Sequence, residues 1–191
     1  MTSNPVICIA TGPSLTPDDV NYVKGKLPVI TINNACHLAP WADYHYACDR
    51  AWWRTYAQTV GTAECWTISP DAAREFELNL LKHKGVGPGL CTVPGYIYHG
   101  GNSGYQAIGL AYVLGFRRII LLGYDCQATD GKKHCHADHP GRLNRPHNYR
   151  RWRKRFDVLG KDAARLGVEI INCSRETAIT AFRRMALCDA L

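Results

Sequence analysis

The sequence has no Cys-x-x-Cys pair, no G-x-G-x-x-G fingerprint and no Walker loop. The ordinary paired zinc pattern and the two commonest phosphate-loop signatures are therefore excluded. No apolar run approaches the roughly 18 residues of a membrane span, which argues against a membrane partner. Gly and Pro together number 27 of 191 residues, which excludes collagen-like and low-complexity classes. Met1–Pro5 carries no basic n-region, and Val6–Ala10 is too short for a signal core, so a cytoplasmic protein is expected. The nine cysteines are odd in number and scattered singly. They read as small buried apolar residues in a reducing compartment rather than as a disulfide framework.

Acidic residues are also missing from one stretch. Between Arg142 and Arg155 there are seven basic residues and no acid, and these alone equal the formal net charge of +7. Such a patch suits an anionic partner, a phosphate, a nucleotide or a nucleic acid; a solvated helix face is the plainer alternative.

What is present is a repeating order of strand and helix. Val6–Ala10 reads as a buried strand ending at Gly12-Pro13, and Thr16 caps a helix closed by Gly25. Strands are expected over 28–32, 44–48, 64–68, 118–122 and 168–172, with a short one over 90–93. Helices are expected over 50–60, 69–81, 103–114 and 147–166, and from Ser174 through Met185. The alternation predicts one α/β domain, a three-layer sandwich with a mainly parallel Rossmann-like sheet. The polar segment 127–146 is long for a connection and reads as a lid over an active site.

Ligands of such sheets bind beyond the carboxyl ends of the strands. Thr11, Gly12, Ser14, Asn33, Asp49, Asn102, Ser103, Gly104 and Asp125 fall there. Thr11-Gly12-Pro13-Ser14 and Gly100-Gly101-Asn102-Ser103-Gly104 each place small residues before a helix, where amides bind phosphate. Either turn alone is an ordinary βα turn; together they favour a nucleotide. Asp49 and Asp125 suit a ribose or Mg²⁺; Asp125 is taken as a catalytic candidate, and equally suits a structural role. Lys132, Lys133 and Arg142 in the long loop can meet phosphate. His134, His136 and His139, with Cys126, are zinc-type ligands without a standard metal spacing, so no metal site is assigned. From His147 to Phe156 basic residues alternate with aromatics, as in nucleic-acid binders; at helical spacing Trp152 and Phe156 share a face that suits packing on the sheet.

Taken in order, Gly12-Pro13-Ser14-Leu15, Asn33, Asn102-Ser103-Gly104 and Ile119–Asp125 resemble the bacterial lipo-oligosaccharide sialyltransferases of glycosyltransferase family 42. The pattern is also similar to that of 6-hydroxymethylpterin diphosphokinases of archaeal type and of uncharacterised phage proteins. The resemblance runs from residue 6 to about 182. It implies a nucleotide or nucleotide-sugar donor, with Gly12 and Ser14 at its phosphates and Asn33 near base or sugar. It further implies contacts from Ser103 and Gly104, and His147 as general base, a role for which an imidazole has a suitable pKa. The sialyltransferases carry tyrosines in the long loop, where this chain has cations. The expected activity is a glycosyltransferase-like, nucleotide-dependent transfer to an acceptor hydroxyl. The alternatives are an ATP-dependent diphosphokinase and a non-catalytic nucleotide- or nucleic-acid-binding protein.

Overall fold

Pro5–Ile9 is β1, and its alternation decides the layering. Val6 and Cys8 face one side of the sheet, Ile7 and Ile9 the other, and all four are fully buried. A strand apolar on both faces needs helices on both sides. The computed structural model describes residues 4–85, 87, 89–137, 139–144 and 146–191, with Arg142 described by its backbone alone.

The next elements are α1 (Pro17–Val23), β2 (Val29–Ile32), β3 (Tyr44–Tyr46), α2 (Arg50–Tyr56), β4 (Glu64–Thr67), α3 (Pro70–Phe76) and β5 (Asn79–Leu80). A separate two-stranded ladder, β6 (Lys82–His83) with β7 (Tyr96–Ile97), leads to α4 (Ser103–Val113). β8 (Arg118–Leu122), α5 (Tyr149–Arg165), β9 (Glu169–Asn172), β10 (Arg183–Arg184) and α6 (Leu187–Ala190) follow. Thr16 starts α1 with a reciprocal cap: its Oγ1 accepts from the Asp19 amide at 3.3 Å, and the Asp19 carboxylate accepts from the Thr16 amide at 3.1 Å.

The main sheet has eight strands in the order β10-β9-β8-β1-β2-β3-β4-β5, every neighbouring pair parallel. Helices cover both faces, so the fold is the α/β sandwich with a Rossmann-like sheet that the alternation predicts. α1 packs Val20 and Val23 on the Ile7 and Ile9 side. α4 and α5 cover the Val6 and Cys8 side, with Phe156, Leu159 and Ala163 as the buried stripe of α5. Trp52 and Trp53 of α2 enclose His45 of β3. α4 is buried along most of its length because β7 lies against its outer side. There Gly109 is needed: a methyl group would come 2.8 Å from Ile97 Cγ2.

The topology places the crevice. From β1 the chain steps outward through β2, β3, β4 and β5. It then returns through α4 to β8, on the opposite side of β1. The winding reverses between β1 and β8, and the gap beyond their carboxyl ends is the switch point.

Several elements differ from expectation. The helix beginning at Pro70 stops at Phe76, because Glu77 turns left-handed (φ 55°) and the chain re-enters the sheet as β5. No strand forms over 90–93; the short strands are β6 and β7 instead. The helix from Ser174 through Met185 does not form. Ser174 Oγ accepts the Tyr124 amide at 2.7 Å, and Thr177 Oγ1 donates to the Tyr124 carbonyl at 2.7 Å. These side chains satisfy the backbone leaving β8, so the segment crosses the end of the sheet as turns before β10. α5 starts at Tyr149, two residues later than expected, with Asn148 as its cap.

Candidate functional site

β1 and β8 stay paired past their formal ends, through the Ala10 amide to the Leu122 carbonyl at 2.9 Å and the Gly12 amide to the Gly123 carbonyl at 2.8 Å. Any side chain at position 12 would overlap the Asp125 carboxyl and the Gly123 carbonyl. Gly12 is thus explained by its own neighbours. Asp125 is fully buried; its Oδ2 accepts the Ser14 amide at 2.7 Å, and its Oδ1 has no hydrogen-bond partner among the described residues. Burial pushes its pKa up to about 6, against the lowering effect of the Ser14 bonds. The Ser14 hydroxyl points to the far flank, where it accepts the Glu176 amide at 3.2 Å. Ser14 and Asp125 therefore clamp the turn from behind, outside the cleft lining.

The cleft itself has a volume of about 670 Å³. Thr11, Gly12 and Pro13 form one side. Asn33, in a left-handed conformation (φ 50°), and Asp49 border it from the ends of β2 and β3. Asn102, Ser103 and Gly104 bring the N-terminus of α4 to it. Asn102 Oδ1 accepts the Tyr105 amide at 2.8 Å, while its buried Nδ2 has no partner among the described residues. Ser103 Oγ donates to Cys48 Sγ at 3.2 Å, which joins this turn to the end of β3. Burial pushes the Cys48 thiol up to about 12, so it carries no thiolate reactivity at neutral pH.

The long loop forms the opposite wall. The Cys135 amide donates to the Thr11 carbonyl at 3.0 Å, and Thr11 Oγ1 lies 3.1 Å from His134 Nδ1. The His134 ring is 4.8 Å from that of His136, 5.3 Å from His139 and 4.9 Å from His147. His147 Nδ1 meets the Tyr149 hydroxyl at 2.9 Å, and the Trp152 ring lies 5.2 Å away. Although four histidines meet here, no three His, Cys, Asp or Glu side chains among the described residues converge to hold a metal ion. Lys133 lines the cleft, whereas Lys132 sits away from it in a bridge with Thr129. The side chain of Arg142 lies outside the described residues.

Sequence reasoning placed Arg151 and Arg155 in a basic patch without bringing them to the cleft wall, passed over His99 there, and assigned Trp152 to sheet packing. Phe156 enters the core, and Trp152 is half-buried, packing against that core and also lining the cleft. Arg151 and Arg155 are four residues apart and stack along one helix face, with His147 just ahead of that helix. Arg155 lies against Gly101, where a side chain would collide with its guanidinium. Burial first, and then the charges of His83 and Arg155, hold His99 below its ordinary pKa. Among the described residues lining the cleft, Asp49 is the sole carboxylate, against the cations Lys133, Arg151 and Arg155.

The fold and site define a parallel-sheet α/β protein with a cationic, histidine-walled cleft at its switch point. A comparison with protein-family models finds no match, and none is found among curated proteins. Among the described residues no helix is long and apolar enough to cross a membrane.

Proposed function

We propose that the protein is a nucleotide-dependent transferase of glycosyltransferase-like type. A nucleotide-activated donor would lie between the Thr11–Pro13 turn and the Gly101–Gly104 turn, with its phosphates toward the N-terminus of α4. The observation that carries the reading is the convergence on one cleft of both glycine turns, an eleven-residue helix start and His147. Its volume, about 670 Å³, is of the size that small-molecule ligands occupy.

In this reading His147 is the general base. The Tyr149 hydroxyl at Nδ1 holds the ring; when that hydroxyl accepts, the basic lone pair belongs to Nε2. His147 takes the proton of the acceptor hydroxyl, and the oxygen forms a bond to the transferred group. The donor phosphate leaves with the electron pair of the broken bond. Lys133, Arg151 and Arg155 stabilise the charge that develops on it, the task given to tyrosines in the resembling sialyltransferases. The diphosphokinase alternative draws less support. ATP chemistry with Mg²⁺ calls for carboxylates beside the phosphates, and Asp49 alone faces the described cleft.

Thermal unfolding with a panel of nucleoside mono-, di- and triphosphates and nucleotide sugars tests the assignment. A true ligand at 100 times its Kd adds about 2.7 kcal/mol and raises the melting temperature. A panel that leaves it unmoved overturns the nucleotide site.

A further inference from the structure

α5 opens on cations. Arg150, Arg151, Arg153, Lys154 and Arg155 fill five of its first seven positions, and no acid occurs before Asp157. A helix start is already electropositive and ordinarily takes acids. Five other arginines have carboxylate partners: Arg50 and Arg54 share Glu75, Arg118 meets Glu169, Arg165 meets Asp162 and Arg175 meets Asp19. Among the described residues no ion pair involves Arg150, Arg151, Lys154 or Arg155.

These four side chains, with Asn148, instead line a second groove of about 360 Å³ that has no acidic wall among the described residues. Asn148, Arg151 and Arg155 belong to the main cleft as well, so the groove opens into it. Burial and the neighbouring Arg151 charge both lower the Arg155 pKa, the mark of cations held together without a counterion. Arg150 with Lys154, and Arg151 with Arg155, are spaced four residues apart, about 6 Å along the axis. Two such rows match a succession of phosphates better than a single one. Trp152, on the cleft side of the Arg151–Arg155 row, brings an aromatic ring to the cleft wall beside the groove, where a base can stack.

We infer that the groove over the first turns of α5 binds a single-stranded polynucleotide through Arg150, Arg151, Lys154 and Arg155, and that this strand carries the acceptor hydroxyl into the cleft. The acceptor role rests on the transferase reading, whereas binding of the strand stands without it. The groove lies on one face of α5 and adjoins the cleft, and stacking on the Trp152 ring calls for the unpaired bases of a single strand.

The test is fluorescence anisotropy of a labelled twelve-nucleotide single strand across a salt series, with the full chain and with Arg150→Ala/Lys154→Ala. Both positions are solvent-exposed, so the variant keeps its core. The wild type should bind with a negative salt slope, and the variant should lose about 1.4 from that slope and roughly tenfold or more in affinity at low salt. Mononucleotide affinity by calorimetry should stay unchanged in the variant, because neither side chain lines the cleft. No binding of the strand, or a slope unaltered in the variant, overturns the proposal. Equal competition by inorganic polyphosphate overturns the polynucleotide in favour of a phosphorylated acceptor, and preferential binding to vesicles of anionic lipid does so in favour of a membrane surface. A wild type that binds the strand but no mononucleotide upholds the groove and overturns only the nucleotide site.

Discussion

The hydroxyl of Thr11 lies 3.1 Å from Nδ1 of His134, a contact spanning 123 residues of chain. It joins the end of β1 to the long loop, beside the Cys135 amide bonded to the Thr11 carbonyl. One residue thus holds the loop by backbone and by side chain, and His134 in turn stands against His147.

Thr11→Val keeps the shape and the backbone bond but removes the hydroxyl. The loop should open more readily, by about 1 kcal/mol, the net worth of one hydrogen bond. Hydrogen exchange should then speed up at residues 132–136 while the amides of β1 and β8 stay protected. Equal exchange rates in the two proteins would show that the contact holds nothing.

Replacing His147 by Ala should lower turnover by roughly 10²–10⁴-fold and leave donor affinity nearly intact, as for a general base acting in the transition state. Steady-state kinetics beside calorimetry separates the outcomes. Loss of nucleotide affinity would make His147 a phosphate contact, and no change in either would remove it from the reaction.

Gly12→Ala should destabilise the fold by about 1–3 kcal/mol, since the methyl overlaps the Asp125 carboxyl and the Gly123 carbonyl. Urea unfolding measures this. Asp125→Gly in the same chain should recover part of the loss, because the Gly123 carbonyl still stands in the way. A fully stable Gly12→Ala would contradict the clamp and return the glycine to a ligand role.

Two buried groups give opposite pH dependences over overlapping ranges. His45, enclosed by Trp52 and Trp53, is driven by burial down to about 3. The unfolded chain therefore binds the proton more tightly, and stability is lost as pH falls from about 6.5 toward 3. Asp125 is raised to about 6 by burial, so the folded chain holds that proton more tightly, and stability is lost as pH rises from about 4 to 6. In the wild type the two partly cancel. His45→Phe should expose the fall with rising pH, and Asp125→Asn the rise. Melting temperatures between pH 4 and 7 that follow the same slope in both variants would refute this pairing.

Much of the fold was legible because it rests on local rules. The apolar runs of β1 and β8, the Thr16 cap and the Gly-Pro break at 12–13 specify strand, turn and helix without help from distant residues. The segment after Ser174 was not legible. Its cap-like serine and polar residues suit a helix start, but a neighbouring strand end offered them backbone groups to satisfy. The candidate site divides in the same way. Residues at strand ends were found, because topology places strand ends together; the charge of Arg151 and Arg155 was legible but their place on the cleft, like that of Trp152, was not, because the rotation of α5 about its axis depends on what it packs against.

The sequence by itself determined the α/β order, the two glycine turns, and the concentration of positive charge between Arg142 and Arg155. Tertiary structure alone decided what those features face. Only the reversal of winding between β1 and β8 turns separate turns into one cleft. Only burial of Phe156, Leu159 and Ala163 rotates α5 so that Arg151 and Arg155 meet that cleft. Only the close approach of Asp125 to Gly12 makes Asp125 and Ser14 a clamp behind the turn rather than part of its face. The reason is one of range. Hydrogen-bonding and hydrophobic periodicity act over a few residues and can be read in order, whereas contacts such as Thr11 with His134 exist only after long loops have closed and the core has fixed each element's orientation.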